Sequence, residues 1–263
     1  MKRHRLHTLW FGWFCLIAGG AGTVAAAPVL SLDPPPAIAI GTTYNGTTLT
    51  VTGRIAAKDE LVVRFVGMAQ DLPMKRKGKA LGLLWMNMDS VTFTKAPSVF
   101  IVESARPLSE LDAGGADGAG ERAADLGLNG LVRRMDVEPE TADKGALFRE
   151  LLKLKRVEGL YSELTGGVQY GAEEPDLKSF SVDLPLPSRL SPGSYRLEAY
   201  AVEHGVVVTR QDYPVSIELT GMARVMYALA FDHALLYGLL ATIVAVLGGL
   251  LTAVLFGGGK GAH

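Results

Sequence analysis

Lys75, Arg76, Lys77 and Lys79 crowd four cations into the six residues of MKRKGK (74–79), directly ahead of the apolar stretch ALGLLWMNMDSV. Such a cluster attracts anions: phospholipid head groups, an acidic partner or an anionic solute. Alternation along a strand would set Lys75, Lys77 and Lys79 on one side and Arg76 on the other. With no ligand at all, the same run also serves as a solvated edge hairpin whose lysines discourage edge-to-edge aggregation.

Acid–base and covalent chemistry have less to work with. Of the five histidines, His4 and His7 sit in the N-terminal leader and His263 in the tail. That leaves His204 in an expected turn and His233 beside an apolar helix. No HExxH, Walker A or GxSxG pattern and no paired metal-ligand spacing occurs. Asp112 and Asp117 lack the alternation of a calcium loop and read as solvated loop residues. Glu103-Ser104 and Glu173-Glu174 have no evident partner. The expectation is a protein that is not an enzyme, with no catalytic residues, no metal site and no cofactor.

The elements that must position these groups begin with a leader. Lys2, Arg3 and Arg5 precede an apolar run, Leu9–Gly22, that ends in TVAAAPV. This is the pattern of a secretory signal peptide, residues 1–26, cut after Ala26; an uncleaved anchor is the alternative. Cys15, the single cysteine, lies inside that run, so a cleaved chain would carry no disulfide or thiolate site. Without the leader the balance is 23 basic to 27 acidic side chains, which argues against nucleic acid as a partner.

At the other end Ala234–Phe256 runs 23 residues without a charge. At about 1.5 Å per residue, a helix of this length crosses the roughly 30 Å of a bilayer's hydrocarbon core. Ala241, Ala245, Gly249 and Ala253 recur every fourth residue, a small-residue face that permits close helix packing in lipid, although small residues are also common in such helices. Gly221–His233 mixes apolar and aromatic residues with Arg224 and Asp232 and reads as an interfacial segment. The export signal puts the bulk of the chain in the periplasm and residues 257–263 in the cytoplasm.

Between the leader and the span the pattern is mostly β. Leu49, Val51 and Gly53 alternate with Thr48, Thr50 and Thr52, and Asn45-Gly46 marks a turn before them. ELVVRFVGM (60–68) is nearly continuous in apolar residues and reads as a central strand. LPMKRKGKALGLLWMN reads as a hairpin with Gly78 near its tip, returning Leu84 or Trp85 to the core and Asn87 to the rim. A helical insertion is expected at about 107–162. Within it Leu147, Leu151 and Leu154, with Phe148 and Leu152 beside them, form the apolar stripe of a helix. Later, Tyr195, Leu197, Ala199 and Ala201 point one way and Arg196, Glu198 and Tyr200 the other. Seven to nine strands result. The expected fold is mainly β: an immunoglobulin-like β-sandwich over residues 27–220 with a helical insertion, plus a C-terminal transmembrane helix.

YNGTTLTVTGRI, the basic run followed by LGLLWMNMDSVTFTKAPSVFIVESARPL, GLYSE, PGSYRLEAYAVEHGVVV and YALAFDHALLYGLLATIVAVLGGL appear in that order. In these stretches the chain resembles a family of alphaproteobacterial-type transmembrane proteins. The resemblance implies a single-pass, inner-membrane, periplasm-facing protein associated with sulfite-exporter-type permeases, and it brings no catalytic residues. The Gly/Asp-rich stretch around 114–120 looks like a local expansion. The expected function is a membrane-anchored accessory or interaction subunit of an anion exporter, in contact with the lipid bilayer and a permease. A stand-alone envelope module binding protein or glycan is the alternative.

Overall fold

The computed structural model describes residues 29–33, 37–80, 84–112, 120–140 and 143–256. The leader with its expected cleavage point, Asp117 and the tail lie outside the described residues. So do the side chains of 76–80, 84, 85, 87–89 and 173.

The strands are β1 (Leu30–Leu32), β2 (Ile38–Ile40), β3 (Thr47–Ala56), β4 (Glu60–Gly67), β5 (Ala69–Ala80), β6 (Leu84–Pro97), β7 (Phe100–Ser104), β8 (Asp136–Glu138), β9 (Tyr161–Thr165), β10 (Val168–Glu173), β11 (Leu177–Leu186), β12 (Gly193–Glu203) and β13 (Val206–Leu219). The helices are α1 (Leu108–Asp112), α2 (Leu128–Arg134), α3 (Lys144–Val157), α4 (Gly221–Phe231) and α5 (Ala234–Phe256). A 3-10 turn, Ala123–Leu126, precedes α2. Several of the strands beyond the expected nine are only three residues long, too short to register as a period-two pattern.

Four strands form one sheet in the order β1-β3-β11-β10, and six form a second in the order β2-β13-β12-β4-β7-β9. The alternation in β3 has its physical reason here: Leu49, Val51 and Ile55 are buried against Leu61, Val63 and Phe65 of β4 and Leu197, Ala199 and Ala201 of β12. Phe65 stacks on Tyr195 at 5.1 Å, and the Tyr195 hydroxyl donates to Ser191 O at 2.6 Å. β4 is central, paired to β12 on one side and β7 on the other. Asn45-Gly46, however, does not join a hairpin, because β2 pairs with β13 and β3 with β1 and β11, in different sheets. His204 (φ 49°) and Gly205 (φ 84°) make the tight turn from β12 to β13, where two left-handed residues match the strand twist.

The second face of the six-stranded sheet is also covered. Val62, Phe100, Val102, Tyr200 and Val202 pack there against Leu108, Leu126, Leu131, Phe148 and Leu151 of the insertion. The three-stranded sheet β5-β6-β8 completes this outer layer, with Phe93 edge-on to Phe148 at 5.5 Å. The buried stripe of α3 is Phe148, Leu151 and Lys155, whereas Leu154 is exposed. Leu147 and Leu152 pack beside that stripe, so the expected one holds except at Leu154; there Lys155 is buried instead, its stem inside and its amine on Glu158 at 3.2 Å. Asp112 is not a solvated loop residue either: Arg122 donates to both its oxygens, at 2.9 and 2.8 Å.

One glycine carries a packing constraint. A Cβ on Gly53 would lie 2.1 Å from Ser31 O of β1 and 2.6 Å from the Phe180 ring. Gly53→Ala should lower the stability of the sandwich by about 1–3 kcal/mol through this overpacking. A thermal melt of the full chain in detergent, followed by circular dichroism, checks it; an unchanged midpoint would mean that β1 can lift away freely.

Candidate functional site

The basic run lies on β5, a twelve-residue strand whose only partner among the described residues is β6. The register pairs Lys75 with Ser90, Arg76 with Asp89, Lys77 with Asn87 and Lys79 with Trp85. The backbone thus brings all four cations to one edge strand, and the Lys75 side chain is exposed. Gly78 lies near the tip, as expected, two residues from the last described pair. It sits within the ladder opposite Met86, and the last pair is Ala80 with Leu84. A lone glycine weakens a strand without ending it, and residues 81–83 lie outside the described residues. Among the described side chains of β6, Val91, Phe93 and Ala96 are buried; the expected placements of Leu84, Trp85 and Asn87 lie outside the described side chains.

The second expected feature is on α5. No residue of this helix is buried by the described chain. Ala241, Ala245, Gly249 and Ala253 follow one another at four-residue intervals on continuous helix, and a Cβ on Gly249 would meet nothing within 4 Å. Thr242 and Thr252 donate their hydroxyls back to Gly238 O and Gly248 O, each at 2.8 Å, so that these polar groups are satisfied within the helix. α5 is the one helix among the described residues long and apolar enough to cross a membrane. His233 lies at its start, between α4 and α5, and His204 in the β12–β13 turn.

Sequence reasoning missed a charged cluster under the helical insertion. Arg64 of β4 is 4% exposed and Glu198 of β12 is 2% exposed. Arg64 Nε donates to Glu198 Oε2 at 2.6 Å, its Nη1 donates to Leu126 O at 3.3 Å, and its Nη2 donates to the Tyr200 hydroxyl. That hydroxyl in turn donates to Glu198 Oε2 at 3.1 Å. From β13, Arg210 donates to Glu198 Oε1 at 3.1 Å and grips both oxygens of Asp212 at 2.6 Å. Arg196 adds a third cation 3.7 Å from Glu198. The Arg64 guanidinium also lies over the Phe100 and Tyr200 rings, at 5.5 and 4.9 Å. The two hydrogen bonds from Arg210 hold the Asp212 carboxyl below the usual carboxylate range. Burial raises the Tyr200 hydroxyl well above its ordinary value, so it stays protonated and can donate. A signal did exist: an arginine within ELVVRFVG, and Glu198 and Tyr200 on the face of YRLEAYAV opposite the apolar one. Only the strand order brings them together.

Two more carboxylates are buried. Glu103 of β7 is 3% exposed and accepts the Gly167 amide at 2.8 Å, so it does have a partner. Burial raises its pKa, opposed by backbone hydrogen bonds from Gly167 and Ser104. Asp59, at the β3–β4 turn, is 1% exposed, with Oδ1 unpartnered; burial and then Glu203 raise its pKa. Among the described residues no three His, Cys, Asp or Glu side chains converge as a metal site.

The geometry sets two expectations. Arg64→Met leaves Glu198 buried with less compensation and should cost about 3–5 kcal/mol, whereas Arg64→Met with Glu198→Leu should recover much of that loss; thermal melts of the three chains test it, and a double variant as weak as the single would refute the charge argument. For Glu103 the folded-state pKa lies above the unfolded one. Its stability contribution is therefore fully present below the ordinary glutamate range and is lost as pH rises through the raised value. Glu103→Gln keeps the acceptor for Gly167. It should raise the melting temperature at pH 8 and leave it nearly unchanged at pH 4; a gain equal at both pH values would show that burial of the charge is not the cause.

Comparison with known proteins bears on the whole chain rather than on this cluster. No curated protein matches the sequence. The family model described as "Putative transmembrane protein (Alph_Pro_TM)" matches residues 32–257, from the end of β1 to just past the end of α5. With the sandwich, the insertion and the span all inside the matched range, the chain belongs to this transmembrane protein family.

Proposed function

We propose that the protein is a membrane-anchored accessory or interaction subunit that packs on an integral-membrane permease through α5, with the sandwich in the periplasm and the C-terminus in the cytoplasm. The observation that carries this reading is the small-residue face Ala241, Ala245, Gly249 and Ala253 on a helix of which no residue is buried by the described chain. Lipid tails are as apolar as leucine, so close backbone approach is what a helix partner gains from such a face. The resemblance drawn from the sequence supports a sulfite-type anion exporter as the permease. The cations of β5 would then attract the anionic solute or an acidic surface of the partner.

The role needs no catalysis of its own. Glu198 is spoken for by arginines and Glu103 by backbone amides. The sandwich suits an interaction domain. β1-β3-β11-β10 opposite β13-β12-β4-β7 follows the strand plan of immunoglobulin-type sandwiches, and the Tyr195–Ser191 bond has the form of their tyrosine corner. A second reading, a stand-alone envelope module for protein or glycan, is favoured by the long open edge of β5.

Replacing Ala245 and Gly249 by Leu should abolish co-purification of the permease from mild detergent while the protein stays inserted. Unchanged co-purification would count against the interface. If any other apolar span substitutes for α5 without loss, the stand-alone reading takes its place.

A further inference from the structure

The end of the sandwich nearest the span is open. β13 ends at Leu219, the Thr220 amide is held by Ile40 O at 2.9 Å, and Gly221, with φ 60°, turns the chain into α4. A groove of about 480 Å³ lies between them, with Pro192, Ile217 and Glu218 on the sandwich side and Arg224, Tyr227 and Asp232 on the helix side.

Helical spacing divides α4. Met222, Val225, Met226 and Leu229 follow i, i+3, i+4, i+7 on one face, and Arg224 and Tyr227 lie on the other. Because Arg224 and Tyr227 line the groove, the Met222–Leu229 face is turned away from the sandwich, and Met222, Val225 and Met226 are exposed there. Only Asp232 and His233 separate α4 from α5. An apolar helix face this close to a membrane span meets the bilayer, which places α4 in the interface and the groove at head-group level. Arg224, Glu218 and Asp232 form no ion pair with one another among the described residues, so the groove presents one free cation and two free carboxylates. An anionic lipid would set its charge against both carboxylates. A quaternary amine could not donate hydrogen bonds to them, whereas a primary ammonium donates three. Tyr227, half exposed, is the kind of side chain that favours this depth.

We propose that this groove holds the head group of one phosphatidylethanolamine-type lipid, its phosphate on Arg224 and its ammonium between Glu218 and Asp232. The site requires α5 to lie in a bilayer and is independent of any permease.

The test is native mass spectrometry of the full chain in mild detergent, titrated with phosphatidylethanolamine, phosphatidylcholine and phosphatidylglycerol of identical acyl chains. One ethanolamine lipid should be retained per chain at a concentration about tenfold lower than either of the others, the value of one charge-assisted hydrogen bond. Arg224→Gln should raise that concentration about tenfold. Glu218→Gln with Asp232→Asn should erase the preference over choline, with the circular dichroism melt unchanged in both variants. Equal retention of the three lipids, a preference for the glycerol lipid, or an unaltered retention concentration in Arg224→Gln would overturn the proposal. So would soluble phosphoethanolamine competing at the concentration of the lipid itself, since the ligand would then not be a membrane one.

Discussion

The guanidinium of Arg64 is the constraint around which the sandwich is arranged. It stands on the central strand of the larger sheet, where a charge taken out of water costs several kcal/mol unless its hydrogen bonds are met. They are met by Glu198 and Tyr200 on the neighbouring strand and by Leu126 O from the inserted 3-10 turn. Glu198 in turn needs Arg210 from β13. The insertion therefore does more than bury apolar side chains: its backbone supplies an acceptor that β4 requires. An apolar residue at this position would pack the layer without specifying which turn covers it.

A second division of labour separates this layer from the membrane end. The sandwich core and the outer core both close on themselves, and α4 and α5 contribute no buried residue to either. The sandwich is linked to the span through the short Thr220–Gly221 connection, held by one backbone hydrogen bond to β2. Such an arrangement suits a domain held at a bilayer by its anchor, in which membrane contacts and folding contacts can vary independently.

Much of this plan was legible along the chain. Period-two alternation in β3 and β12 is readable because each strand has one face in the core between the sheets. The span is readable because 23 consecutive residues without a charge are a property of composition and length alone. Where both faces of an element are buried, local pattern fails. β4 looked only apolar, and the single arginine in it, though a signal of a buried charge, named no partner until the strand order supplied one. The α3 stripe was misjudged at Leu154 because Lys155 packs its stem inward, which binary patterning counts as polar. The hairpin with Gly78 near its tip was legible from the basic run and the apolar return strand, and the register places Gly78 opposite Met86 close to the end of the ladder.

The β class, the long inserted helix α3, the apolar span with its small-residue face and the cationic strand ahead of LWMNMDSV are therefore legible in the chain alone. Each of these is a property of consecutive residues, and the helix and strand periods translate it directly into structure. Which strands are neighbours emerges only once the chain has folded. From that follow the junction of Arg64 with Glu198, 134 residues away, the split of β2 and β3 between two sheets, and the groove lined by both Glu218 and Arg224. Strand order is fixed by long-range burial and hydrogen bonding, energies that belong to pairs of distant residues and leave no period in either.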